Sequence, residues 1–162
     1  MEQGSVPDII AATMTALEQS SLGAAARGSA WLYPLANLSH VLGAALLVGA
    51  IATFDIQVLR HAKNVGAIAR AVTPVAAFGL ALQLASGTVL LAADAMPVVV
   101  NPAFQFKMGM LALGLINIAA FRWRFAGRLQ AEAPLDGAAG FAALSLASWL
   151  LVLLAGRFIA YL

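Results

Sequence analysis

The sequence predicts an all-α integral membrane protein, a four-helix transmembrane bundle preceded by an interfacial amphipathic helix. Three observations predict it. The 162 residues are 62% hydrophobic and 10% charged, with a mean hydropathy of +0.91; a soluble domain carries about 25% charged residues. A soluble fold of this size has too much surface for its volume to hide so much apolar side chain, whereas a bilayer solvates it. Four apolar stretches, each near the roughly 20 residues that cross a bilayer, are separated by charged or Pro- and Gly-containing segments. Finally, the basic residues fall in alternate connections.

Residues 1–30 read as an N-terminal segment and residues 31–162 as the transmembrane domain. The first segment lacks a signal peptide's basic start, since Glu2 and Asp8 precede any Lys or Arg. Pro7-Asp8 suits a helix start. Ile9, Ile10, Met14 and Leu17 recur at helical spacing opposite Thr15, Glu18 and Gln19, which predicts a short amphipathic helix on the membrane surface or capping the bundle. Gly23 and Gly28 bracket an expected turn, and Trp31 and Tyr33 stand as interfacial aromatics before Pro34.

The first span is expected at 35–59, closed by Arg60, His61 and Lys63. The second is expected at 72–93, with Pro74 in its first turn and Gln83, Ser86 and Thr88 as polar members. Val98-Val99-Val100 reads as a short extended or re-entrant piece. The third span is expected at 102–121, with Lys107 and Asn117 inside it, and the fourth at 137–162, with Arg157 near its end. Ala45 and Gly49 form a small-xxx-small pair, and Ala138 and Ala142 begin a second small stripe, both expected to let helices approach closely.

Orientation follows from charge. Arg60, Lys63 and Arg70 follow the first span, and Arg122, Arg124 and Arg128 follow the third. The positive-inside rule makes these two ends cytoplasmic, which makes both termini and the Met96–Asn101 connection face outward.

The absence of cysteine excludes disulfides, thiolate metal sites, iron–sulfur clusters and cysteine nucleophiles. A net charge of +2 with no basic, aromatic-interleaved face excludes nucleic acid as a partner. No Ser–His–acid set lies at one depth, which argues against hydrolase chemistry.

An ionisable group inside a span is costly and marks a functional site by default. With a rise of 1.5 Å per residue, His40 lies roughly 10 Å and Lys107 roughly 7–8 Å below the outer interface. Arg157 enters at the same level from the fourth span, and Ser86 and Thr88 from the second. Four helices are thus expected to offer polar groups to one layer. Lys107 and Arg157 have an alternative, snorkelling outward along their stems. His40 has one too, as an interhelical hydrogen bond. Asp55 at the basic end is expected to pair with Arg60 or Arg122, and Asn117 to bind two helices together.

A membrane-bundle histidine suits a b-type haem. His61 lies roughly 30 Å from His40 along the helix, so one chain cannot clamp a haem between two histidines. His40 would need Met108, Met110 or Lys107 as second ligand, a five-coordinate iron, or a second chain, with Lys107 and Arg157 pairing with the propionates. Copper is the other option, with His40, Met96 and Met108 as a donor set of suitable softness for Cu(I).

The run Trp31-Leu32-Tyr33-Pro34 with His40, Gly43, Val48-Gly49 and Asp55 resembles an uncharacterised bacterial family of small four-helix membrane proteins. Asn101-Pro102-Ala103-Phe104 with Lys107, then Asn117, Gly156-Arg157 and Ala160-Tyr161 carry the same resemblance. More remotely, the layout is similar to copper-resistance D-type membrane proteins and HemJ-type protoporphyrinogen oxidases, which place a histidine in the first helix. The HemJ type binds haem b and has a lysine in a later helix. That resemblance implies an axial-ligand role for His40 and an active-site or porphyrin-carboxylate role for Lys107; it carries over no second ligand, because Phe121-Arg122 stands where family members have a histidine. The readings that follow are a haem-binding redox protein near the periplasmic face, an accessory subunit of a larger membrane complex, and a copper-handling or small-solute protein. So small a bundle has little internal room, which favours a homo-oligomer or other membrane subunits as partners.

Overall fold

The computed structural model describes residues 7–161. Glu2 and the last residue of the fourth expected span therefore lie outside the described residues. Seven helices occur among those described: α1 (Asp8–Glu18), α2 (Ser21–Gly28), α3 (Leu32–Leu59), α4 (Val65–Ala93), α5 (Ala95–Val100), α6 (Pro102–Gln130) and α7 (Ala139–Phe158). The fold is all-α. Helices α3, α4, α6 and α7 are each long and apolar enough to cross a membrane. Their outward faces are strongly apolar: Leu38, Val41, Phe78, Leu84, Ile116 and Leu154 are more than half exposed. Such a surface fits lipid, and the chain is a multi-pass membrane protein by this length and composition.

The spans are longer than expected, because helical hydrogen bonding continues past the basic residues at their ends. Helix α4 starts at Val65, directly after Asn64 in the left-handed region (φ 67°), and α6 runs through Arg122, Arg124 and Arg128 to Gln130. Pro74 consequently lies inside α4 rather than in its first turn. It removes the hydrogen bond that would end on the Arg70 carbonyl. The start of α6 is as expected: Asn101 accepts from the backbone N–H of Ala103 (2.9 Å) and Phe104 (3.3 Å), and Pro102 needs no donor in the first turn.

Two local expectations are corrected. The Gly23–Gly28 segment is helix, because Ser20 caps α2 by accepting from Gly23 (3.2 Å). The valine run ends helix α5 rather than forming an extended piece. The N-terminal segment also docks rather than standing alone. Arg27 donates to the carbonyls of Ala92 and Ala93 at the C-terminus of α4, and Glu18 accepts from the first turn of α5 through the Met96 N–H (3.1 Å). Each charge thus meets the helix end of opposite polarity. Helices α1 and α2 cap one end of the bundle, one of the two placements that the amphipathic pattern allowed.

The closest packing joins α3 to α4, where backbone meets backbone. A Cβ on Gly79 would lie 2.6 Å from the Leu47 nitrogen, and one on Gly43 would lie 3.0 Å from the Gly79 carbonyl oxygen. The pair Ala45 and Gly49 plays no such part: nothing lies within 4 Å of a Cβ on Gly49, and Ala45 is exposed. Ala138 and Ala142 are buried as expected. Helix α7 packs on α3 and α6, whereas α4 and α6 scarcely touch. The bundle is therefore open along one seam. Gly79→Ala is expected to destabilise the protein by about 1–3 kcal/mol through overpacking, while Gly49→Ala, set in open space, is neutral or stabilising; thermal unfolding in detergent compares the two.

Candidate functional site

At the capped end, three helices bring polar groups to one level. The α3–α4 contact at Gly43 and Gly79 sets this up, because the next turn of α4 then faces the preceding turn of α3. The Gln83 side-chain amide donates to the His40 carbonyl, and Ser86 Oγ lies 3.0 Å from His40 Nδ1. Ser86 also donates to the Leu82 carbonyl at 2.6 Å. A hydroxyl has one proton, so with that proton given to Leu82 the oxygen accepts from Nδ1–H. His40 is then held as the tautomer whose Nε2 lone pair is free. From α6, the half-buried Lys107 lays its stem along Gly156 of α7, close enough for its charge to act on the imidazole.

Three sequence-selected residues do not join this layer. Met108 is 45% exposed, on the outer surface of α6. Arg157 is exposed and turned along its own helix, where its guanidinium bonds the Tyr161 hydroxyl and stacks over that ring at 4.9 Å. This is the snorkelling geometry. Thr88 is exposed and bonds the Leu84 carbonyl within its own helix. Among the described residues, no group of three His, Asp or Glu side chains could hold a metal ion.

A second, larger opening lies away from His40. A cavity of about 730 Å³ occupies the other half of the bundle, at the basic end. Leu47, Leu80 and Trp149 bound it toward His40, and Gly66, Arg70, Leu129 and Gln130 bound it at the basic end. Its back wall is α3 and α7 and its sides are α4 and α6, so its opening is the seam between the two helices that scarcely touch. Pro74 and Thr73 line it where the α4 hydrogen-bond ladder loses a rung.

Asp55 belongs to this cavity. It is only 4% exposed, and its Oδ2 has no hydrogen-bond partner. The expected ion pair with Arg60 or Arg122 does not form. The helical extension of α6 carries Arg122 to an exposed position on the rim, and Arg60 caps α3 at the exposed surface. The single ion pair among the described residues joins Arg70 to Glu132 (2.8 Å), both well exposed. The Ser145 hydroxyl of α7 faces the carboxylate. One turn further along α7, Trp149 is 1% exposed, packs its indole on Gly114 of α6, and leaves its Nε1 without a partner. Asn117 binds the helices as expected, donating from Nδ2 to the Phe141 carbonyl at 3.0 Å.

The sequence carried a signal for this second site: Asp55, Ser145 and Trp149 are polar or amphipathic groups within apolar runs, spread over two adjacent turns in the basic half of the bundle. The nearby arginines offered Asp55 a simpler partner. Comparison with known proteins finds no matching family model, no matching curated protein and no matching solved structure. The site is therefore read from its own geometry. Ser86→Ala is expected to release His40 Nδ1–H, costing about 1 kcal/mol for the lost hydrogen bond and shifting the imidazole ¹⁵N resonances away from a single tautomer, as measured by NMR in detergent.

Proposed function

We propose that this chain is a membrane protein that holds a small lipophilic molecule in the cavity beside Asp55, admitted sideways from the cytoplasmic leaflet between α4 and α6. One observation carries this reading: two buried polar atoms, Asp55 Oδ2 and Trp149 Nε1, have no partner and both residues line a cavity of about 730 Å³. Ligand pockets run from about 300 to 1,000 Å³, mostly apolar with a few placed polar groups. Leaving a buried polar group unpaired costs about 1–3 kcal/mol. A ligand that pairs with these groups recovers that cost, which gives it selectivity over lipid tails. The basic residues around the mouth support a cytoplasmic placement by the positive-inside rule. Saturable binding of the neutral probe N-phenyl-1-naphthylamine, followed by fluorescence, is expected for the purified protein and is weakened at least tenfold by Ala76→Trp, which fills the cavity. Partition no greater than into empty detergent micelles contradicts the proposal.

The bond to Ser86 favours a second reading at His40. An imidazole with Nδ1–H engaged and Nε2 free is in the state that an axial haem ligand or a copper ligand requires. The donor set fits a single-histidine site: Met108 and Arg157 face away, so a b-type haem here would be held by His40, with Lys107 toward a propionate and any second ligand from another copy of the chain. Haem would supply one-electron chemistry near the periplasmic face. Protein expressed with a haem supply is expected to show a Soret band that His40→Ala abolishes; a colourless preparation overturns this second reading.

A further inference from the structure

The environment of Asp55 narrows the chemistry of the ligand. Asp55 is the one carboxylate in the cavity wall, and no cation of the chain pairs with it among the described residues. Around it the wall is aromatic. Phe54 and Phe121 pack edge to face with centroids 5.4 Å apart, Phe121 meets Phe141 at 6.1 Å, and Trp149 closes the far side. Aromatic faces carry the negative end of the ring quadrupole and attract desolvated cations. A carboxylate with a vacant oxygen in an aromatic wall is a cation site in a medium that offers little competing water. The two positive groups at the rim do not cancel it: Arg70 is held by Glu132, and Arg122 is exposed, where solvent and salt screen its charge.

Resting on the reading of the cavity as a ligand site, we propose that its ligand is a lipophilic amine bound as the ammonium ion, its N–H donating to Asp55 Oδ2 and its apolar body lying along the seam between α4 and α6. An amine crosses lipid as the free base. If Asp55 is a neutral acid when the amine arrives, the carboxyl proton passes to the amine nitrogen and leaves a carboxylate–ammonium pair, so charge and protons balance without any other reactant. An ether or carbonyl oxygen on the ligand would accept from Trp149 Nε1–H, the second unpaired group.

The test compares two probes on the full chain in lipid nanodiscs: a naphthalene-tagged alkyl dimethylamine and its carbon isostere, in which C–H replaces N. The amine is expected to bind at least tenfold more tightly than the isostere. Asp55→Asn is expected to bring the ratio to about one while the isostere still binds saturably, which also shows that the variant is folded. Equal binding of the two probes by the wild-type chain overturns the amine assignment and leaves the cavity reading standing. So does a preference that survives Asp55→Asn. Saturable binding of neither probe overturns both.

Discussion

The backbone contact between α3 and α4 at Gly43 and Gly79 is the constraint on which both polar regions depend. Where two helices meet without side chains between them, their relative depth and rotation are set to within a fraction of a turn. That register puts Gln83 and Ser86 against His40 on one side of the contact. On the other side, Leu47 and Leu80 form the boundary of the cavity. Because α4 is committed to α3, and α7 bridges α3 and α6, nothing pulls α4 onto α6. The seam is the consequence of close packing elsewhere.

The two regions differ in the way their polar groups are satisfied. At His40 the protein meets most of its own polar demand: Nδ1 of the imidazole, the Ser86 hydroxyl and the Gln83 amide are bonded to one another or to backbone, and Nε2 alone is left open. At Asp55 it does not. The carboxylate and the indole are buried more deeply than His40, yet each keeps an unpaired atom in a wall with room beside it. In a bilayer there is little water to make up the difference. Unmet polar groups next to unfilled space are the stronger mark of a ligand. A satisfied cluster at a helix crossing is also what a structural role requires.

Much of the fold was legible in the sequence, for a physical reason. A bilayer demands long apolar helices, and hydropathy reads that demand directly, so all four spans fall where composition puts them. Their ends were less legible, since helices run on past the basic residues that mark their expected boundaries: α4 begins before Arg70, at Val65, and α6 continues through Arg122, Arg124 and Arg128 to Gln130. At the site, depth arithmetic placed His40, Ser86 and Lys107 at one level but could not give rotation about the helix axis. Rotation turns Met108 and Arg157 outward and turns Asp55 inward, away from Arg60 and Arg122. The glycines that fix the rotation were visible, but a count of small residues singled out Gly49, which faces open space, above Gly79.

The central claim is that the bundle opens to lipid between α4 and α6, and thiol chemistry tests it most directly. The chain has no cysteine, so single substitutions report one position each. Ile51 lines the cavity, while Val48, one turn away on α3, is equally buried but does not line it. A bilayer-soluble maleimide is predicted to label Ile51→Cys in lipid nanodiscs and to spare Val48→Cys. Equal protection of the two would mean that the seam is closed, and would contradict the account.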